Sequence, residues 1–178
     1  MNLLAGDVGG TKTNLAVFAK ESGPREALAR QTYRSGDHKD LGGIVREFLD
    51  EAGLPVERAC FGVGGPVLGG RAKFTNLDWV IDAEILRSNF GWSTCVLLND
   101  MEALAYAVPA LGEGDLSTLS PGRPELGGAV AVLAAGTGLG EGYLTFDGGV
   151  GHAHASEGGH ASFGPVGELQ MDLLDYLN

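Results

Sequence analysis

Positive charge is scarce in this chain. Of its 178 residues, 12 are Lys or Arg against 23 Asp or Glu, which leaves a formal net charge of −11. A protein that reads DNA or RNA neutralises phosphates with a cationic face, so nucleic acid is not an expected partner. Any anionic ligand has to be held by backbone N–H groups and a metal ion. Long apolar runs are missing too. No stretch approaches the ~20 residues that span a bilayer, and Asp7 falls before the apolar segment of a signal peptide could form, so no membrane partner is expected. Cysteine occurs twice, as Cys60 and Cys95, each inside an apolar strand-like segment (ACFGV and TCVLL). That usage reads as buried thiols in a reducing compartment, and the expected location is cytoplasmic.

The common phosphate-binding signatures are absent as well. There is no G-x-x-x-x-G-K-[ST] loop, no G-x-G-x-x-G opening a helix after a strand, and no H-R-D or D-F-G of protein kinases. His152, His154 and His160 with Glu157 make a histidine-rich stretch. Without partner cysteines it lacks structural zinc spacing.

Glycine, by contrast, is abundant: 30 of 178 residues, roughly 17% against a usual ~7%. The glycines fall in separate groups between apolar segments, the pattern of tight turns and backbone-lined sites. The apolar pattern predicts strands near 3–8, 14–19, 29–34, 58–63, 94–98 and 129–135, and a strand pair near 67–75. Helices are predicted at 39–52, with Gly53 as C-cap, near 82–90 behind Asp82 as N-cap, and at 101–108. This alternation indicates an α/β protein with a mixed or parallel sheet. The Pro/Gly/Ser-rich stretch 112–128 is the expected boundary between a domain of residues 1–112 and a second unit, 113–178.

One supersecondary piece occurs twice. LAGDVGGTKTNLAVF (residues 4–18) and LAAGTGLGEGYLTF (residues 133–146) each run from apolar strand through a Gly/Thr turn into a second apolar strand. One opens the first unit and the other the second. Two such hairpins are a natural clamp for a polyphosphate, because successive backbone N–H groups in such turns form anion-binding nests.

DVGGTKTNLAVF (7–18), TNLDW (75–79), LLNDMEALAYAVP (97–109), AAGTGLG (134–140) and EGGHASFGP (157–165) together resemble, in order, the bacterial glucokinases of the actin, hexokinase and Hsp70 superfamily. The resemblance covers nearly the whole chain. It implies a ribonuclease-H-like α/β fold of two lobes around a cleft, with ATP, Mg²⁺ and glucose as ligands and a homodimer as a frequent assembly. It also implies that family members continue beyond residue 178, leaving the second lobe incomplete here and the adenine pocket outside the chain. Lys12 and Asn14 stand where many members have Asn and Arg. GGTK is the form common among the related ROK proteins, whose zinc-binding cysteine cluster is missing here. A sugar-sensing regulator on this fold would want an N-terminal helix-turn-helix, for which the first hairpin, starting at residue 5, leaves no room.

The resemblance assigns ATP phosphates to Asp7, Gly9, Gly10, Thr11, Lys12, Gly136, Thr137 and Gly138, with Asp7 orienting Mg²⁺ through water. Phosphoryl transfer to a sugar hydroxyl also needs a proton acceptor. Asp100, at the end of an apolar strand, is the candidate general base towards the 6-hydroxyl. Either Asn99 or Asp100 also suits the N-cap of the following helix, with Glu102 completing a capping box. By resemblance Asn76, Asn99, Asp100, Glu157 and His160 contact the hexose. Taken without it, Glu157 and His160 read equally well as surface loop residues.

Overall fold

The computed structural model of the chain describes residues 1–74, 77–123, 125–136 and 138–177. The chain begins with an antiparallel meander of β1 (Asn2–Val8), β2 (Lys12–Ala19) and β3 (Ala27–Arg34), followed by a 3-10 turn at Ser35–Asp37. Helix α1 (Leu41–Ala52) leads to β4 (Arg58–Val63). Three short strands follow, β5 (Val67–Leu68), β6 (Arg71–Lys73) and β7 (Val80–Asp82), then α2 (Ala83–Phe90), β8 (Thr94–Asn99) and α3 (Asp100–Ala107). The main sheet has the order β3-β2-β1-β4-β8, with β1, β4 and β8 parallel and the other pairings antiparallel. It is therefore mixed. The short strands β5, β6 and β7 form a separate antiparallel sheet.

One face of the main sheet carries the core. Leu4, Val8, Leu15, Val17, Ala59, Phe61, Val63 and Leu97 are buried there with Leu41, Ile44, Val45 and Phe48 of α1. Those helix residues recur at i, i+3, i+4 and i+7, one apolar stripe. Burying a side chain of this size contributes about 1.5–3 kcal/mol. Gly6 sits in the same face because nothing larger fits: a Cβ there would lie 2.4 Å from Phe61 Cδ1 and 2.9 Å from Leu15 Cδ2.

The helix ends follow the expected chemistry, with one adjustment. Asp40 accepts the Gly43 N–H at 2.8 Å, so α1 starts at Leu41 and not at 39. Gly53 closes it in the left-handed conformation, φ 61°. Asp82 accepts the N–H groups of Glu84 and Ile85 at 3.0 and 3.2 Å, as an N-cap should.

Beyond α3 the connection holds 3-10 turns at Val108–Ala110 and Glu113–Asp115 and reaches β9 (Val130–Ala135) without further regular structure among its described residues. Arg25 ties it back to the β2–β3 loop, donating to Asp115 Oδ1 at 3.2 Å and to the Ala110 carbonyl at 3.1 Å. The guanidinium, joined by the Gly112 N–H, holds the Asp115 carboxyl down at about 2. A second antiparallel meander follows: β9, β10 (Leu139–Asp147) and β11 (Val150–Ser156). The internal repeat thus extends over three strands, because β11 pairs with β10 as β3 does with β2. A 3-10 turn at Gly158–His160 and helix α4 (Glu168–Leu177) complete the described chain. The apolar residues Leu169, Leu173 and Leu177 of α4 are exposed. No helix among the described residues is long and apolar enough to cross a membrane.

Candidate active site

Three parallel strands end abreast. Val8 of β1 is level with Val63 of β4, and Val63 with Asn99 of β8. With neighbouring strands ~4.8 Å apart, the segments after them leave one sheet edge within ~10 Å of each other. The carboxyl edge of parallel strands is where α/β sheets place ligands. Here it carries the first glycine turn, the Gly64-Gly65 crossing and the Asn99-Asp100 pair. Gly64 links the three: its N–H donates to the Val8 carbonyl at 3.2 Å. A Cβ on it would lie 3.9 Å from Asp100 Oδ2.

Asn99 settles which of the two residues caps α3. Its Oδ1 accepts the Met101 N–H at 2.9 Å, while Glu102 Oε2 accepts the Asn99 N–H at 3.0 Å, the reciprocal capping box. Its Nδ2 donates to the Gly65 carbonyl at 3.0 Å. One N–H and one lone pair of this amide remain for a ligand. With Asn99 as cap, α3 begins at Asp100. Asp100 Oδ1 accepts the Met101 N–H at 2.8 Å, and no other side-chain bond to it is formed among the described residues.

Helix α3 lies between the main sheet and the second meander, seated on glycines at both contacts. A Cβ on Gly62 would approach Ala103 Cβ to 3.2 Å, and one on Gly140 would reach Met101 Sδ at 2.6 Å. The start of α3 therefore faces the β9–β10 turn across a cavity of about 480 Å³. Asn99, Asp100, Gly136, Gly138, Glu157 and His160 all line it. Glu157 and His160 are paired, Oε2 to Nδ1 at 3.1 Å, on the 3-10 turn whose Gly159 lies against the Leu139 carbonyl; a Cβ there would sit 1.9 Å from that oxygen. The second glycine turn is closed by the Gly136 N–H on the Gly138 carbonyl at 2.9 Å. Thr137 and Asn76 lie outside the described residues.

The first hairpin is not part of this cavity. Asp7, with Asn14, Arg30 and Thr32, lines a neighbouring depression of about 490 Å³ on the sheet face opposite the core. Asn14 Nδ2 donates to Asp7 Oδ2 at 3.0 Å and Thr32 Oγ1 donates to Asn14 Oδ1 at 2.8 Å, a ladder across three strands that orients the carboxylate. Its Oδ1 is left without a hydrogen bond among the described residues. Gly9, Gly10, Thr11 and Lys12 form the turn above it, closed by the Gly9 N–H on the Lys12 carbonyl at 2.9 Å.

Sequence reasoning missed several residues that shape the site. Gly65 and Ser156 line the cavity, Asn14 and Thr32 hold Asp7, and Ser35 contacts the first turn. Only Gly65 carried a signal, in its Gly-Gly-Pro turn. The others are ordinary polar residues whose neighbours become visible only when the strands are paired. A larger depression of about 610 Å³, among Met1, Leu3, Phe18 and Arg58, contains none of the predicted site residues.

Known proteins resemble this chain in sequence and in fold. The family model described as Glucokinase matches residues 4–178. A glucokinase from Nostoc punctiforme is 41% identical over 177 residues, spanning 98% of this chain and 52% of that protein. The crystal structure of a glucokinase from an Antarctic psychrotroph superposes with a TM-score of 0.86 at 29% identity, over 99% of this chain and 56% of that one. A ROK family glucokinase from Streptomyces griseus, solved in complex with glucose and AMPPNP, shares the fold at 24% identity and a TM-score of 0.58, over 85% of this chain and 46% of that one. The chain spans about half the length of the curated relatives it matches. The fold is the ribonuclease-H-like, actin/hexokinase α/β type implied by the motifs. With two glycine hairpins, an Asn-Asp pair at a shared strand edge and a family match across residues 4–178, the chain belongs to the glucokinase family.

Proposed function

We propose that this chain carries the sugar site and both phosphate hairpins of an ATP-dependent kinase that phosphorylates glucose at its 6-hydroxyl. One observation carries the reading: a single cavity of about 480 Å³ gathers Asp100, Asn99, Glu157, His160 and the second glycine turn. In it Asp100 accepts the proton of the attacking hydroxyl, so the sugar oxygen bonds to the γ-phosphorus as the bond to the ADP oxygen breaks. Asn99, Glu157 and His160 orient the hexose. Asn76 belongs to the same proposed set. Residues 1–112 form the proposed first lobe and 113–178 the start of the second.

Phosphate binding is assigned to the turns 9–12 and 136–138. The residues present fit Mg²⁺: one exposed carboxylate, Asp7, held by Asn14, and no group of three or more potential metal-ligating side chains among the described residues. A cation that keeps its waters and takes its remaining ligands from phosphate needs no more. Bound there, Mg²⁺ supplies charge neutralisation on the transferring phosphate. The homodimer and cytoplasmic location expected from the sequence belong to this proposal.

The test is ADP release by the 178-residue chain with ATP, Mg²⁺ and glucose, beside Asp100→Asn and with N-acetylglucosamine as alternative substrate. Glucose-dependent ADP that Asp100→Asn abolishes supports the kinase and the base together. Turnover is expected to be far slower than that of a relative of twice the length. Equal turnover by Asp100→Asn removes Asp100 from the role of base, and preference for the N-acetylated sugar refutes glucose as substrate.

A further inference from the structure

We propose that Ser35, backed by Thr13, is a positioning residue that locks the Gly9–Gly10 peptide so that its N–H faces the phosphates. This rests on the kinase reading above and concerns two residues outside its site. Both side chains are fully buried although both are polar. Ser35 Oγ donates to the Gly9 carbonyl at 2.7 Å, and Thr13 Oγ1 lies 3.0 Å from Ser35 Oγ. Because the one hydroxyl proton of Ser35 is committed to Gly9, the proton between the two hydroxyls comes from Thr13. The Ser35 N–H donates to the Thr11 carbonyl at 3.0 Å. The 3-10 turn after β3 thus holds two carbonyls of the first glycine turn.

The consequence follows from peptide geometry. In a trans peptide the carbonyl of one residue and the N–H of the next point in opposite directions, and the chain has no cis peptide bond among its described residues. Drawing the Gly9 carbonyl inward therefore turns the Gly10 N–H outward. The N–H groups of Gly10 and Thr11 make no hydrogen bond among the described residues. A Gly-Gly peptide has little steric resistance to flipping. Flipped, it would present a carbonyl oxygen to an anion in place of a donor. The buried chain from Thr13 through Ser35 to Gly9 opposes that flip, each bond polarising the next.

The experiment uses the full chain with Mg²⁺ and inorganic tripolyphosphate as probe. Affinities for tripolyphosphate and for glucose are measured by calorimetry for the parent, Ser35→Ala, Thr13→Val and Thr13→Ser, and the Gly10 amide is followed by ¹⁵N NMR. Ser35→Ala is expected to weaken tripolyphosphate binding about five- to tenfold, the scale of one misdirected hydrogen bond, with glucose affinity within about twofold. Its Gly10 amide should show exchange broadening that the parent lacks. Thr13→Val, which removes the hydroxyl but keeps the shape, is expected to act in the same direction, and Thr13→Ser to restore the parent behaviour. Should Ser35→Ala not fold, Thr13→Val carries the comparison. Parallel losses for both ligands, or an unchanged Gly10 amide, overturn the lock. A parent that binds no tripolyphosphate overturns the kinase reading instead, and the lock is then judged on the Gly10 amide alone.

Discussion

Replacing Asn99 by Ala removes two bonds at one point of the fold, and their worth can be set out separately. The Met101 N–H loses the Asn99 Oδ1 acceptor that caps α3 and keeps only the Asp100 Oδ1, a loss of up to about 1 kcal/mol for an N-cap. The Gly65 carbonyl loses the Nδ2 donor at a part-buried position, again about 1 kcal/mol net. The main-chain half of the capping box, Asn99 N–H to Glu102, survives. The expected destabilisation is about 1–2 kcal/mol, a fall of ~2–8 °C in Tm for a chain of this length. Asn99→Asp separates the two contributions. Its carboxylate still accepts from Met101 and suits a helix N-terminus, but it cannot donate to Gly65, so about half the loss is expected. Urea unfolding of the three proteins with unchanged slopes is the assay. If Asn99→Ala stays within about 0.5 kcal/mol of the parent, or if Asp and Ala are equivalent, the cap does not hold the Asn99-Asp100 pair in place as argued.

Gly6→Ala should destabilise by about 1–3 kcal/mol through overpacking, since its Cβ would meet the Phe61 ring. Gly36→Ala, in open space, is the control in the same urea series, and equal midpoints would refute the packing argument. Gly159→Ala should cut glucose affinity by at least about tenfold, because the backbone carbonyl of Leu139 has to move and small displacements of positioning groups are costly. Gly164→Ala, with nothing near its Cβ, should bind as the parent does, and calorimetry distinguishes them. Burial pushes the Cys95 thiol up to about 11, with the nearby Cys60 adding to it. Burial, with Glu51 and Glu47, pushes Tyr33 up to about 12. Groups that hold their protons more tightly when folded stabilise fully below their unfolded pKa and lose that contribution as pH rises. Stability should therefore fall between about pH 9 and 12, and a urea midpoint constant over that range would contradict the shifts.

Much of the architecture was legible in local pattern. The apolar stripe of α1, the Asp82 cap and the strands feeding the first hairpin all lie where periodicity and end chemistry put them. The segment VGHAHAS, by contrast, became β11 although its small and histidine residues carry no strand pattern. Pairing with β10 along its whole length decides its conformation, an instance of tertiary context overriding propensity. The site divides in the same way. Asp100, Asn99, Glu157, His160, Gly136 and Gly138 stand in local motifs of the sequence, and the structure brings them around one cavity. Thr13 follows a Gly/Thr turn in the sequence, yet it lies inside β2 facing the core. Its partner is 22 residues away in sequence, a distance that spacing cannot report. Asn14 and Thr32 were missed for the same reason, since the ladder to Asp7 exists only once three strands are in register.

The seating of α3 has a mechanical consequence. Between Gly62 on one side and Gly140 and Gly142 on the other, the helix works as a shim, and its effective thickness is set by three missing methyl groups. Adding one on either side would drive a wedge between the two sheets and widen the cavity at the start of α3. A substitution at Gly62 or Gly142, neither of which lines that cavity, would then retune its width without altering any residue of its lining.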